Sequence, residues 1–379
     1  MKLVLLFLLD MILTKDIEGK SLVWLANNNQ YIIVEKIVAE ILTLLTNNTP
    51  EETITSFLSD KIHVPYSEAN QFINDIKKLL EKTATLPYEQ SNVPIPSSFE
   101  HRKYYKINNT FFLVDFLSDY EVSLIHPKFA HLEVKKQEKI NFHYQVFTHK
   151  EAIFFYCNDE YIGHWTFNES HFFQGKFSMK IIEHTHNYKE DDWIGIFHAS
   201  AVSNDENAML FLGDSGNGKS TSLALLQANG FTCLADDFVP VLAKNKEVYS
   251  FPSAISIKKN SLPVLLQLYP ELESTSEYHF KKLNKVVRYL PPKNADYTQH
   301  KPCKKLVFIK YVPESNLSIT NISKTEAFQQ LVPDSWLSPI PENAEAFLNW
   351  FSDLNCYRLV YSDNQKMIQT VKKLFSNDL

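Results

Sequence analysis

Glycine is the residue type in shortest supply in this sequence. Only 8 of the 379 residues are glycine, roughly a third of the ordinary usage of about 7%. Three of the eight stand within six positions, at Gly213, Gly216 and Gly218. Glycine adopts backbone dihedrals that other residues avoid and lets a ligand approach the main chain closely. This local concentration therefore indicates a loop with a function.

Paired cysteines are lacking as well. The four cysteines, Cys157, Cys233, Cys303 and Cys356, are far apart and form no C-x-x-C pair. Such spacing fits neither a disulfide framework nor a sequential zinc ribbon. We therefore expect a protein of the reducing cytoplasm.

Long apolar runs and an excess of basic residues are also absent. No run approaches the ~18 to 20 apolar residues that cross a bilayer. The apolar run Lys2–Leu9 is interrupted by Asp10, and no cleavage site follows it. This run is therefore predicted to be a buried strand rather than a secretory signal. With 38 basic and 44 acidic residues the net charge is −6. Neither a membrane nor nucleic acid is expected as a partner.

What the sequence does contain is enough apolar residues for two or three domains. At 44% hydrophobic and 13% aromatic residues, it is predicted to be neither disordered, coiled-coil nor collagen-like. Residues 1–95 predict a small α+β domain, with a hairpin over Ser21–Val34 and three helices, the second capped by a box at Thr49 and the third by Ser67. Residues 96–190 predict a β-rich segment packed with the core, and 191–379 an α/β domain.

The glycine cluster belongs to a phosphate-binding pattern, G-x-x-x-x-G-K-[ST]. The candidate nucleotide-binding residues are Gly213, Asp214, Ser215, Gly216, Asn217, Gly218, Lys219, Ser220 and Thr221. In this pattern backbone N–H groups surround phosphate oxygens, the lysine reaches the β- and γ-phosphates, and the serine hydroxyl binds Mg²⁺. An apolar strand over Ala208–Leu212 and a helix over Thr221–Ala228 supply the expected context. The alternative is a turn that merely needs glycine.

Two carboxylates follow the next predicted strand, Phe231–Ala235. Asp236 and Asp237 should emerge at the sheet edge that carries the phosphate loop, where one can bind Mg²⁺ and the other can accept a proton. A solvated or helix-capping pair is the alternative. His198 stands fifteen residues before Gly213 and by itself is most simply an ordinary core or surface histidine.

The order His198-Ala-Ser-Ala-Val, Gly213-Asp-Ser-Gly-Asn-Gly-Lys-Ser and Leu234-Ala-Asp-Asp resembles the catalytic core of the HPr serine kinase/phosphorylase family. That family shares a P-loop fold with the phosphoenolpyruvate carboxykinases. The resemblance implies ATP and Mg²⁺ as cofactors, Lys219 on the phosphates, Ser220 on the metal, Asp237 as the base and His198 as a catalytic-site residue. With Asp237 as the base, Asp236 is the carboxylate of the pair that is predicted to bind Mg²⁺. The resemblance is also compatible with a homo-oligomer.

The sequence departs from that family after the aspartate pair. The later glycine-rich signature is absent, since no glycine follows Gly230, which makes HPr itself and the reverse phosphorylase reaction doubtful. The segment from Phe251 to Lys258, F-P-x-x-I-x-x-K, instead looks like HPr-kinase-related proteins that accompany peptide-modification genes. Residues 1–80 resemble PqqD-like domains, which bind the leader peptides of ribosomally made, modified peptides. An unrelated winged-helix-like module is the alternative.

The sequence therefore predicts an ATP-dependent kinase that phosphorylates a serine or threonine hydroxyl of a peptide or protein, bound through the N-terminal domain. Two alternatives are a nucleotide-dependent peptide-binding module without transfer and a small-molecule phosphotransferase. Weaker signals are His184 and His186, whose spacing suits zinc if they share one face of a strand but which have no identifiable further ligands. Four basic residues could also bind phosphate or an acidic peptide, namely Lys258, Lys259, Lys285 and Arg288.

Overall fold

The computed structural model describes residues 11–80, 93–280 and 285–378. The predicted strand over Lys2–Leu9 and most of the predicted linker over Thr83–Ser98 lie outside the described residues. The protein is a mixed α/β chain with several sheets. It divides into two compact units, one of Met1–Pro87 with Ile322–Cys356 and the other of Tyr88–Asn321 with Tyr357–Leu379.

The first unit contains a three-stranded antiparallel sheet and helices on both of its faces. The strands, in the order in which they pair, are Ile12–Ile17, Lys20–Leu25 and Gln30–Glu35. The helices that follow directly are Lys36–Thr46, Glu51–Ile62 and Tyr66–Lys77. The returning segment adds helix Lys324–Leu331, strand Ser335–Leu337 and helix Pro341–Asp353. The predicted hairpin and three helices are confirmed.

The middle strand explains why the first unit has helices on both faces. Val23 and Leu25 belong to the core formed with the first three helices, while Trp24 on the opposite face contacts Tyr31. The Tyr31 ring in turn packs edge-on against Phe347, with the ring centroids 5.1 Å apart. Both faces of the strand are buried because Ile322–Cys356 covers the second one. The sequence prediction differs here, since it assigned these residues to the C-terminal domain.

Two predicted helix caps in this unit are wrong. Helix Glu51–Ile62 begins after Pro50, which stands at the N-cap position without a side-chain hydrogen bond, so the capping box at Thr49 does not form. Ser67 lies within helix Tyr66–Lys77, whose N-cap is Pro65. In both cases the proline has the extended backbone conformation of an N-cap, with ψ of 135° at Pro50 and 145° at Pro65.

We expect the packing of the returning segment to be essential to the stability of the first unit. Phe347 is fully buried, and Phe347→Ala should cost about 3 to 5 kcal/mol of unfolding free energy because it leaves a cavity. Chemical denaturation of the full chain measures this cost. The matched control is Phe172→Ala, at a ring that is 59% exposed in the second unit, which should change stability by less than about 0.5 kcal/mol. Equal effects of the two substitutions would contradict the assignment.

The second unit begins with a five-stranded, mostly antiparallel sheet, as predicted. Its strands, in order, are His101–Ile107, Thr110–Phe116, Phe142–His149, Ala152–Cys157 and Glu160–Thr166. The second and third strands are parallel and are connected through helix Asp119–Phe129. Helix Ser170–His186 follows. The predicted strand over Phe177–Ile182 is wrong, because Phe173, Phe177 and Ile181 recur every four residues and form the buried side of that helix.

A large mixed sheet forms the centre of the second unit. Neighbouring strands, in order, are Thr232–Asp236, Ser200–Ser203, Ala208–Leu212, His300–Tyr311, Glu247–Tyr249, Val239–Leu242 and Trp193–Phe197, with Asn355–Tyr361 also beside His300–Tyr311 and Ser318–Asn321 beyond it. A smaller sheet contains Ile255–Lys258, Lys285–Leu290 and Tyr278–Phe280. The helices are Lys219–Ala228, Leu262–Leu265 and Asn364–Ser376. Hairpins thus replace much of the strand–helix alternation predicted for residues 191–379.

None of the helices in the described ranges is long and apolar enough to cross a membrane.

Candidate functional site

The glycine-rich loop connects strand Ala208–Leu212 to helix Lys219–Ala228, as the sequence predicts. Gly213, Gly216 and Gly218 all have a positive φ, of 135°, 106° and 99°, in a region that L-residues with a Cβ rarely adopt. A Cβ at Gly213 would lie 2.8 Å from the carbonyl oxygen of Ile309. Both the backbone conformation and the available space therefore require glycine at the start of the loop.

Lys219 begins the helix and is almost fully buried, with 6% of its surface exposed. Its Nζ donates a hydrogen bond to the carbonyl oxygen of Gly213, so that the ammonium group lies within the loop. The next helical residues are fixed by hydroxyl contacts, with Thr221 Oγ1 2.7 Å from Ser261 Oγ and Ser222 Oγ 2.8 Å from the Tyr361 hydroxyl. The start of the helix, where N–H groups favour anions, is thus held in place.

Asp236 lies beneath the loop and is 2% exposed. Its Oδ1 accepts hydrogen bonds from Ser200 Oγ at 2.6 Å and from Ser220 Oγ at 3.1 Å. Its Oδ2 accepts one from the backbone N–H of Ser256 at 3.1 Å. The carboxylate is therefore adjacent to the serine of the P-loop, and the two side chains offer the hard oxygen donors that Mg²⁺ prefers.

The environment of Asp236 raises the pKa of its carboxyl group. Burial is the largest cause and the neighbouring charge of Asp237 the next, and together they outweigh the three hydrogen bonds and raise the pKa to about 6. At neutral pH the site therefore holds a buried anion whose charge is only partly compensated by hydrogen bonds. A divalent cation between Asp236 and Ser220 would compensate that charge, so these residues fit the predicted metal.

Asp237 follows with a φ of 65° and turns its side chain toward His198. Its Oδ1 is 3.7 Å from His198 Nδ1, and the two side chains are 35% and 42% exposed. Both residues line a cleft of about 260 Å³ together with seven residues of the loop and helix start, which are Asp214, Ser215, Gly216, Gly218, Lys219, Ser220 and Thr221. The structure therefore brings the predicted residues together, although Gly213, Asn217 and Asp236 are not among the residues that line the cleft.

The topology of the sheet explains this convergence. Strand Ser200–Ser203 lies between the P-loop strand and the strand that ends at Asp236, and it is antiparallel to both. It therefore begins at the edge where the other two strands end, and Ser200 is directly opposite Asp236 in the register. His198, two residues before Ser200, consequently reaches the same edge as the aspartate pair.

The sequence missed several residues of the cleft. These are Ser256, Asn260, Ser261, Val264, Val287, Tyr311, Tyr361 and Asn364. Of the four basic candidates, Lys258 lines the cleft, whereas Lys259 is exposed and Arg288 binds Glu277 and the carbonyl groups of Leu272 and Glu273. The side chain of Lys285 lies outside the described residues. The sequence held one signal for Ser256 and Lys258. Apolar and polar residues alternate over Ile255–Lys258, as in a strand with one buried face.

The histidine pair considered for zinc instead makes aromatic and hydrogen-bond contacts within the second unit. His184 and His186 lie on helix Ser170–His186, not on a strand. The His184 ring stacks on Phe142, and its Nδ1 is 2.7 Å from the Tyr144 hydroxyl, while His186 Nε2 bonds the carbonyl oxygen of Ser250 at 2.8 Å. Burial lowers both pKa values to about 4. Two residues apart on a helix, the rings point in different directions.

Comparison with known proteins adds little to this picture. No family model matches the chain, and a search of the curated proteins finds no match. Among solved structures, the Hpr(Ser) kinase/phosphatase from Coxiella burnetii is similar at 10% sequence identity and a TM-score of 0.22, over 48% of this chain and 95% of that one. So low a TM-score does not establish a common fold. The function of this chain must therefore follow from its own residues.

The raised pKa of Asp236 makes the free energy of unfolding depend on pH. Below about pH 4 the carboxyl group is neutral in both the folded and the unfolded chain. Between about pH 4 and 6 the unfolded chain releases this proton while the folded chain keeps it, so stability falls as the pH rises. A pKa rise from 3.8 to about 6 lowers the free energy of unfolding by about 3 kcal/mol above pH 6, relative to its value below about pH 4.

Asp236→Asn removes this titration. The unfolding free energy of the variant minus that of the wild type should therefore increase by up to about 3 kcal/mol between about pH 4 and pH 7.5. Denaturant titrations of both proteins across this range, without divalent cations, measure the difference. A difference that stays constant with pH would show that Asp236 does not titrate as described.

Proposed function

We propose that this protein is an ATP- and Mg²⁺-dependent kinase that transfers a phosphoryl group to a serine or threonine hydroxyl of a peptide or protein. The observation that carries the proposal is the arrangement of Asp237 and the P-loop, which line one cleft. A phosphate-binding loop alone is equally suited to hydrolysis or binding. A half-exposed carboxylate in the same cleft adds a group that can accept the proton of an incoming hydroxyl.

The loop is suited to the phosphates of a nucleoside triphosphate, for which we take ATP. Backbone N–H groups of the loop and of the helix start would surround its phosphates, and the Lys219 ammonium would exchange its bond to Gly213 for phosphate oxygens. Ser220 and Asp236 would hold Mg²⁺, which when bound neutralises charge on the β- and γ-phosphates. Because these groups are fixed by the fold before ATP binds, little reorganisation is needed during transfer.

The acceptor hydroxyl would approach from the side of Asp237. Its oxygen forms a bond to the γ-phosphorus while the bond from that phosphorus to the β–γ bridging oxygen breaks, which leaves ADP. The hydroxyl proton passes to the Asp237 carboxylate. His198, 3.7 Å from Asp237, would orient this carboxylate. Lys219 stabilises the charge that spreads over the transferred group.

The first unit would bind the peptide that carries the acceptor hydroxyl. Among the described residues, Ile12–Ile17 and Gln30–Glu35 are the outer strands of its sheet, and the edge of a sheet can bind an extended peptide as a further strand. The resemblance of residues 1–80 to PqqD-like domains makes the leader segment of a ribosomally made peptide the preferred ligand. Binding there would raise the effective concentration of the acceptor hydroxyl.

The test is phosphorylation of precursor peptides encoded beside the gene. The full-length protein is incubated with Mg-ATP and each peptide, and intact mass is measured for an added phosphate of about 80 Da. We expect one peptide to gain mass with the wild type, and to do so more slowly when its leader segment is removed. Because Ile322–Cys356 packs on the N-terminal sheet, the test uses the full chain rather than a truncation at residue 95.

The outcomes separate the alternatives. ADP release without a phosphorylated peptide would favour a small-molecule phosphotransferase. ATP binding that strengthens peptide binding without ADP release would favour a nucleotide-dependent binding module. Absence of binding of any nucleoside triphosphate would overturn all three functions.

A further inference from the structure

A second lysine stands over the phosphate loop. Lys258 Nζ is 3.0 Å from Ser215 Oγ and 4.0 Å from the position that a Cβ would occupy at Gly216. These two residues belong to the first half of the loop, whereas Lys219 enters from its end. Among the described residues that line the cleft, the lysines are these two.

The position of Lys258 is built into the fold. In strand Ile255–Lys258 the side chains of Ile255 and Ile257 are buried in the core. Because side chains alternate along a strand, Ser256 and Lys258 face the other side and both line the cleft. The strand is also fixed to the aspartate pair, since the N–H of Ser256 bonds Asp236 Oδ2 at 3.1 Å.

The charges in the cleft require a further cation when phosphates enter. Asp214 and Asp237 line the cleft, and the Asp236 carboxylate lies directly beneath it. A nucleoside triphosphate adds several negative charges at the same place. Lys219 and the proposed Mg²⁺ together supply three positive charges, fewer than the negative charges of the triphosphate and the three carboxylates, and phosphoryl transfer proceeds fastest where cations are fixed around the transferred group.

We infer that Lys258 contacts the terminal phosphoryl group of the bound nucleoside triphosphate. The ammonium exchanges the hydroxyl of Ser215 for an oxygen of the γ-phosphate and keeps its proton throughout. It therefore distinguishes ATP from ADP and stabilises the charge of the group in transfer. This role rests on the proposed function for the identity of the ligand.

The experiment compares the affinities of ATP and ADP, each with Mg²⁺, for the full-length wild type and for Lys258→Met. Methionine keeps the length and the apolar part of the side chain and removes the charge. We expect ATP to bind about 10- to 100-fold more weakly, as for a lost charge-assisted hydrogen bond, and ADP less than about 3-fold more weakly. Lys258→Arg should bind ATP within about 10-fold of the wild type because it keeps the charge.

Lys259→Met is the matched control, since that lysine is adjacent in sequence and exposed; it should bind both nucleotides like the wild type. Equal losses for ATP and ADP in Lys258→Met would overturn the inference, because the lysine would then act on the loop as a whole. Unchanged ATP affinity would overturn it as well. Either result leaves the proposed kinase function standing, whereas a wild type that binds neither nucleotide would refute the proposed function itself.

Discussion

Asp237→Asn is expected to slow phosphoryl transfer about 10²- to 10⁴-fold, the usual contribution of a general base, while ATP affinity stays within about 3-fold of the wild type. Asparagine keeps the size of the side chain and tolerates a positive φ better than most residues, so it suits the backbone conformation of this position, where φ is 65°. What the substitution removes is the capacity to accept a proton. Single-turnover transfer and equilibrium ATP binding measure the two effects separately.

The matched control for this prediction is Asp60→Asn, an exposed carboxylate in helix Glu51–Ile62. It should alter neither transfer nor ATP binding. An Asp237→Asn variant that transfers at the wild-type rate would remove Asp237 from the role of base. A variant that loses ATP binding instead would show that this carboxylate acts through the nucleotide rather than through the acceptor.

Lys219→Met is expected to weaken ATP binding about 10²-fold and to lower the transfer rate by about another 10²- to 10³-fold. The first effect follows from the loss of charge-assisted hydrogen bonds to phosphate, and the second from the loss of a fixed cation in the transition state. We expect both losses to be large because the ammonium group is buried within the loop and bonded to Gly213. Calorimetric ATP titration and single-turnover transfer measure the two losses.

Lys304→Met serves as the control, because Lys304 is an exposed lysine in the middle of strand His300–Tyr311. It should leave affinity and rate unchanged. ATP binding that survives in Lys219→Met at full strength would mean that the glycine-rich loop is a structural turn, which was the alternative interpretation of its sequence. The two substitutions, at Lys219 and Asp237, thus separate nucleotide binding from proton transfer.

The local elements of the site were predictable from sequence because their causes are local. The G-x-x-x-x-G-K-S pattern predicts a strand, a loop and a helix in that order, and the structure has them at Ala208–Leu212, Gly213–Gly218 and Lys219–Ala228. The apolar run before Asp236 likewise predicts the strand that ends there. The Phe177–Ile182 segment shows the limit of such inference, since its apolar residues suited a strand while a helical spacing decided the outcome.

The residues that complete the site came from distant parts of the chain and were decided by tertiary structure. His198 pairs with Asp237 because an antiparallel strand starts where two parallel ones end. Ser256 and Lys258 enter the cleft because the pleat of a strand from a second sheet buries Ile255 and Ile257 on the other side. No local pattern encodes which strand edges meet, so sequence alone gave these residues no defined partner.

The sequence by itself determined that this chain has a mixed α/β fold with a glycine-rich loop between a strand and a helix, two adjacent carboxylates and an N-terminal hairpin with three helices. Those features depend on residue spacing within a strand, a turn or a helix. Tertiary structure decided that Ile322–Cys356 packs on the N-terminal sheet and that His184 and His186 pack against aromatic residues of the second unit. Both outcomes depend on which apolar surfaces bury one another, and many pairings of such surfaces are compatible with the same sequence pattern until the chain folds.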